Sequence, residues 1–242
     1  MDQASETLRF VTASDGHLGE DGTDSRRFLA EFVAAVNRLH AVDPVDFAVL
    51  NGDIGHGGRT LLEEARAGLD GLAMPYFASQ GNHDGVSATD WEDVWGRPAN
   101  LVHRVGARSI VIANTSNEAG DYLCPDPGWL RQALAGEAGQ QDVFAFLHIT
   151  PHTWTRFGIA CDTAAALFAG TPNLRAVFNG HDHDEAGLKV DRGVPYFFDA
   201  HYGGHWGTPY RAFRVVEVAA GRLTTRLVST DGTRLPVESL TW

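Results

Sequence analysis

Apolar residues at Phe28, Leu29, Phe32, Val33, Val36 and Leu39 recur at three- and four-residue steps, the stripe of one helix face, and predict a helix over 25–39. Asp24 or Ser25 suits its N-cap, because a short side-chain oxygen there can satisfy free backbone N–H groups. The same spacing at Leu61, Leu62, Ala65, Leu69 and Leu72 predicts a second helix over 59–72. Short continuous apolar runs at 8–13, 46–50 and 74–80 are too brief for helices and read as buried strands. Strand and helix in alternation predict a parallel sheet with covering helices.

Beyond residue 84 the pattern loosens. Residues 91–95 suggest a short helix, and 101–105 with 109–113 a hairpin turning at Gly106. A polar loop covers 114–121, and a helix opens at Pro127, where proline's missing N–H costs nothing. A strand at 142–147, a small-residue helix at 161–169 and a strand at 174–178 follow. Short strands at 187–190, 194–198, 211–218 and 223–228, with turns at Arg192-Gly193 and Ala220-Gly221, predict an antiparallel second half. The longest irregular stretches are 115–127 and 199–209. With no internal repeat, low-complexity tract or linker composition, residues 1–242 are expected to form a single domain.

The predicted strands end in unusual residues: Asp15 and His17; Asp53; Asn82, His83 and Asp84; His148; His181 and His183. In open α/β sheets, ligand sites lie beyond the carboxyl ends of strands. Any one of these loops reads equally well as a polar turn, since Gly, Asn and Asp are common there. Their repetition argues for a shared site. Oxygen and imidazole donors without thiolates suit first-row divalent cations such as Mn, Fe, Co, Ni or Zn. A carboxylate has two oxygens and can bridge two cations; Asp53 is central in the chain order.

Composition narrows the picture. The 31 acidic residues outnumber the 19 basic ones, a net charge of −12, which argues against a nucleic-acid polymer or an anionic membrane surface as partner. It does not exclude a small phosphate-bearing substrate, because bound cations set the local sign. The acidic start of the chain lacks the apolar core of a secretory signal, and no apolar run is long enough to span a membrane. A cytoplasmic location is therefore expected. Cys124 and Cys161 stand outside any CxxC pair and read as free thiols.

The blocks Asp15-Gly16-His17, Gly52-Asp53, Gly81-Asn82-His83-Asp84, His148 and Gly180-His181-Asp182-His183 occur in the order of the calcineurin-like metallophosphoesterase family, which this sequence resembles. The resemblance implies a four-layer α/β/β/α sandwich of two mixed sheets flanked by helices. It implies two divalent metal ions, one held by Asp15, His17, Asp53 and His183 and the other by Asp53, Asn82, His148 and His181. His83 would then stand beside the substrate as the catalytic residue. The implied reaction is hydrolysis of a phosphoester by a metal-bridging hydroxide, with His83 assisting the leaving group.

Absent features narrow the subgroup. Gly52-Asp53 is not followed by the Asp-Arg pair of the protein Ser/Thr phosphatases. Nor does residue 54–58 contain the tyrosine of purple acid phosphatases. In motif style the chain resembles the small cyclic-nucleotide and glycerophosphodiester phosphodiesterases, so a small phosphodiester substrate is expected. Phosphomonoesterase or nucleotide pyrophosphatase chemistry is the alternative, and a noncatalytic scaffold, which would have lost ligands, the remote one. A homo-oligomer stays open. Pocket candidates are His56, Asp84, His201 and His205, with Asp84 equally suited to closing its turn. Trp154, Phe157 and Trp206 are candidates for stacking on a base or aryl group, and His152 for a place near His148. His40 and His103 read as surface residues.

Overall fold

The computed structural model describes residues 7–231 and 234–242. Twelve strands and five helices follow in order: β1 (Leu8–Ala13), α1 (Ser25–Val42), β2 (Phe47–Asn51), α2 (Arg59–Leu69), β3 (Tyr76–Ser79), α3 (Ala88–Trp95), β4 (Leu101–Val105), β5 (Arg108–Ile112), α4 (Pro127–Gly136), β6 (Asp142–Leu147), α5 (Asp162–Ala169), β7 (Leu174–Asn179), β8 (Leu188–Asp191), β9 (Val194–Phe198), β10 (Ala212–Ala219), β11 (Arg222–Ser229) and β12 (Arg234–Thr241). They form two mixed six-stranded sheets, β12-β11-β10-β1-β2-β3 and β4-β5-β6-β7-β9-β8.

Side-chain alternation along the strands builds the layers. Phe10 of β1, with Phe47 and Val49 of β2, joins Phe144, Phe146 and Phe178 from the second sheet in the core between the sheets. Val11 and Ala13 face the other way, onto Phe32 of α1, Leu62 of α2 and Trp91 of α3. Val143, Ala145 and Leu147 of β6 face Leu130 of α4 and Phe168 of α5. The result is the expected α/β/β/α sandwich. Phe10 anchors its middle, stacked on Phe47 at 5.1 Å and edge-on to Phe178 at 5.5 Å.

Three sequence expectations are corrected. The second half is not wholly antiparallel: β9 lies parallel to β7, and only its hairpin partner β8 runs opposite. β12 went unpredicted; it holds Pro236 and lies at a sheet edge, where a missing N–H is tolerated. Cys124 and Cys161 are not free but joined in a disulfide, with Cα atoms 5.5 Å apart. No described helix is long and apolar enough to cross a membrane.

A buried ion network ties the C-terminal strands beneath the strand ends. Arg214 of β10 donates to the carbonyls of Ala186 (2.9 Å) and Phe198 (2.7 Å) and to Glu238 (2.9 Å). Its Nε lies 3.5 Å from Asp199, which accepts from Thr12 at 2.6 Å. Burial pushes the Asp199 carboxyl up to about 7, against the opposing pull of Arg214. Removing the cation would leave that carboxyl buried without its partner. Arg214→Met is therefore expected to lower stability by roughly 3–5 kcal/mol. Urea unfolding at pH 8 checks this, and a loss below about 1 kcal/mol, the scale of an exposed ion pair, contradicts it.

Candidate metal centre

The strand ends of both sheets converge. β1, β2 and β3 deliver Asp15 with His17, Asp53, and Asn82 with His83; β6 and β7 deliver His148 and His181 with His183. The backbone there is strained: Asp15, His17, Asp53 and His181 all have positive φ, between 46° and 70°. Such conformations persist at non-glycine residues only where surrounding contacts hold them. Some of those contacts run between loops. Asp15 N donates to Gly52 O at 3.0 Å, and His17 N to Asp53 O at 2.9 Å.

Two glycines are required by close approach. A Cβ on Gly52 would come within 2.3 Å of His148 Nδ1, and its φ is +89°. A Cβ on Gly81 would come within 2.1 Å of the Asp53 backbone nitrogen. The glycines preceding Asp53 and Asn82 thus let two loops and an imidazole share one small volume.

Two donor clusters result. Asp15, His17 and His183 form one; Asp53, His148 and His181 form the other. In the first, His183 Nε2 lies 3.2 Å from Asp15 Oδ1 and 3.0 Å from His17 Nε2. Asp53 joins the two: its Oδ2 is 3.2 Å from His148 Nε2 and 3.7 Å from His17 Nε2. Its other oxygen accepts from the His83 backbone N–H at 2.8 Å. Asp15, His17, Asp53, His148, His181 and His183 are all buried, while His83 is exposed.

The outward ring nitrogens are held elsewhere. His148 Nδ1 donates to Asn51 O at 2.8 Å, and His183 Nδ1 to Trp206 O at 3.2 Å. These bonds set the tautomer that leaves Nε2 a free lone pair toward the cluster. Burial holds the His17 imidazole down to about 3 and that of His181 to about 4, so both are neutral donors at neutral pH. Burial alone would also lower His148, but the Asp53 carboxylate outweighs it and lifts the imidazolium to about 10. Burial would raise Asp15; His183 opposes it and brings the carboxyl down to about 2.

These features fit a pair of divalent cations. His148 Nε2, His181 Nε2 and Asn82 Oδ1 are buried without a hydrogen-bond partner; the 3.2 Å approach of His148 to Asp53 lacks hydrogen-bonding alignment. Buried polar atoms are rarely left so. Two imidazole nitrogens face each other at 3.0 Å in the His17–His183 pair, which requires a positive centre or a proton between their lone pairs. The donor set is carboxylate, imidazole and amide throughout, suited to borderline first-row cations.

The remaining sequence candidates divide. His56 reaches the site: its Nδ1 lies 3.0 Å from His17 Nδ1, and its ring stacks on His83 at 4.7 Å. Asp84, expected as a pocket candidate, is instead fully buried and closes the turn, accepting from Gly81 N at 2.7 Å and Gly55 N at 2.8 Å. His201 is also buried, its ring nitrogens facing the carbonyls of Gly203 and Thr208 and its ring stacked behind His183 at 5.2 Å. It supports His183 and does not face an open pocket. His205 is exposed and bonded to Glu20 at 2.6 Å, outside the donor clusters. His152 and Trp154 stack on each other at 3.8 Å and pack against Tyr196. His40 accepts from Val45 N near the end of α1, and His103 packs on Phe77.

Sequence reasoning missed two residues. Asn51 precedes Gly52-Asp53, and its amide donates to Leu147 O and Phe178 O, tying the two sheets together under the site. A polar residue ending an apolar run was the available signal. Tyr122 stands edge-on to His181 at 4.6 Å from an irregular loop that carried no signal.

A profile of the calcineurin-like phosphoesterase family matches residues 8–185. No curated protein matches the sequence significantly. Among solved structures, the chain is similar to a dimetal phosphatase from Danio rerio, with TM-score 0.76 and 14% identity over 97% of this chain and 99% of that one. It is similar to a purple acid phosphatase from yellow lupin, Lupinus luteus, with TM-score 0.75 and 13% identity over 98% of this chain and 54% of that one. It is also similar to the anchor protein of the inner membrane complex of Plasmodium, with TM-score 0.66 and 13% identity over 97% and 89%. At these identities the likeness is one of fold.

Proposed function

The chain belongs to the calcineurin-like phosphoesterase family, whose members hydrolyse phosphoesters at a dimetal centre, and on that premise we propose that it is a metal-dependent phosphodiesterase acting on a small phosphodiester, with residues 1–242 as one catalytic domain. Asp15, His17, Asp53 and His183 would hold one cation, and Asp53, Asn82, His148 and His181 the other. Bound there, the cations supply Lewis acidity toward phosphoryl oxygens and a water acidic enough to act as nucleophile near neutral pH. Mn or Fe suits this imidazole and carboxylate set, as do Zn, Co and Ni. The observation that carries the reading is the Asp53 carboxylate placed between two clusters of buried imidazoles.

The chain's own residues account for the other requirements. Asp53 and the His83 backbone N–H hold each other, fixing the loop that carries the His83 side chain. That imidazole is exposed, stacked on His56 and 5.0 Å from His17 between ring centres. From there it can deliver a proton to the departing alkoxide.

One feature favours a diester over a monoester. Among the described residues, no Lys or Arg pairs with Asp15 or Asp53; their charged partners are histidines. A phosphomonoester carries more negative charge and gains more from a cationic clamp of that kind. The fold also serves the Plasmodium anchor protein, but this chain keeps every donor that the family pattern requires, which favours an enzyme over a scaffold. The cytoplasmic expectation stands against the Cys124–Cys161 bond, since disulfides persist chiefly in oxidising compartments.

Chelated protein is expected to be inactive on bis(4-nitrophenyl) phosphate and to recover with Mn²⁺, with a lower rate on 4-nitrophenyl phosphate. Undiminished turnover by metal-free protein would sink the mechanism. A monoester rate above the diester rate would transfer the assignment to phosphomonoesterase.

A further inference from the structure

Three aromatic rings from separate segments stand against the two histidines of the Gly180–His183 block. Tyr122, in the loop after β5, meets His181 edge-on at 4.6 Å and 88°. Phe157, between β6 and α5, meets the same imidazole at 5.8 Å and 74°. Trp206, between β9 and β10, lies flat on His183 at 4.4 Å and 10°, with Phe157 edge-on to it at 5.5 Å. Tyr122 and Phe157 make no ring contact with each other, so they occupy different positions around His181. None of the three is fully buried, and Tyr122 is 38% exposed.

The two loops that carry Tyr122 and Phe157 are joined covalently. Cys124 lies two residues beyond Tyr122, and Cys161 four beyond Phe157. The bond closes a separation of 37 residues between segments otherwise lacking regular structure. Without it the rings would sit on independent loops, whose ordering costs conformational entropy at every binding event. A partly exposed aromatic ring is an expensive way to shield a histidine from water and an effective platform for another ring.

We propose, resting on the phosphodiesterase reading above, that Tyr122, Phe157 and Trp206 form a collar that binds a planar aromatic group of the substrate, held in shape by the Cys124–Cys161 disulfide. The substrate class is then a phosphodiester bearing an aryl group or a nucleobase, with the phosphoryl group at the donor clusters and the flat ring against the collar. Stacking of this kind tolerates different rings, because each presents a π-face. Specificity therefore falls on flatness and not on one hydrogen-bonding edge.

The test compares bis(4-nitrophenyl) phosphate with glycerophosphocholine, a diester without a ring, on Mn²⁺-reconstituted protein. Phe157→Ala and Tyr122→Ala are each expected to raise KM for the aryl diester by about 10-fold, the scale of one lost stacking contact. KM for glycerophosphocholine and both kcat values are expected to stay unchanged. Phe157→Trp should restore the aryl KM, and Phe157→Leu, which keeps apolar bulk without a π-face, should not. Cys124→Ser with Cys161→Ser should raise the aryl KM in the same selective way. Equal changes on both substrates, or none, would overturn the collar, leaving the rings as packing around His181. Binding of adenosine, which has no phosphoryl group, provides a readout independent of turnover. Calorimetry should show saturable binding that Phe157→Ala weakens about 10-fold, and binding indifferent to that substitution overturns the proposal. If wild-type protein hydrolyses neither diester, the phosphodiesterase reading fails, while the adenosine result still decides the collar.

Discussion

Asp53→Asn is expected to lower phosphodiester hydrolysis by about 10³-fold or more, since removing even one charge-stabilising donor from an active site costs roughly 10²–10³. The substitution is nearly isosteric. It retains an oxygen for the His83 N–H, which Asp53 now bonds at 2.8 Å, so the loop should keep its place. What it removes is the charge that faces both His17 at 3.7 Å and His148 at 3.2 Å. That charge is also what lifts the His148 imidazolium against burial. Metal analysis by mass spectrometry should show fewer bound cations than the wild type. Wild-type metal content with wild-type activity would exclude Asp53 as the shared ligand.

His83→Ala should separate chemistry from metal binding. His83 is exposed, and its only contact with the carboxylate cluster runs through its backbone N–H, which alanine keeps. The metal content is therefore expected to match the wild type. Loss of a general acid should reduce kcat by about 10²–10⁴-fold on a diester with a poor leaving alcohol. The loss should shrink on bis(4-nitrophenyl) phosphate, because nitrophenolate departs without protonation. An equal loss on both esters would assign His83 to charge stabilisation, and no loss on either would remove it from the reaction. His56, stacked on His83 at 4.7 Å, keeps its own contact with His17 in this variant.

The legible parts of this protein were those whose physics is local. Periodicity in 25–39 reports which face of α1 meets the core, because a helix repeats every few residues. The strand β12 escaped because its pairing with β11 is a contact between distant chain segments, and Pro236 argues locally against a strand. The direction of β9 was misread for the same reason. A hairpin with β8 is visible in a turn, whereas its parallel register with β7 is not. The disulfide joins residues 37 apart whose approach depends on two irregular loops. At the site, Asp84 and His201 were placed beside the substrate because they sit next to pocket residues in sequence. Both turned inward because backbone groups there needed partners.

By itself the sequence determined the inventory: which carboxylates and imidazoles end which strands, in what order, and with glycine before Asp53 and Asn82. Residue type and order are enough for that, because a motif's chemistry belongs to its side chains. Only the tertiary structure decided that one Asp53 oxygen faces both clusters, that His17 and His183, 166 residues apart, approach to 3.0 Å, and that Tyr122 stands against His181. Those relations depend on the packing of two sheets against each other. The core that fixes them is the layer of phenylalanines around Phe10, which places the strand ends to within the distances a metal site requires.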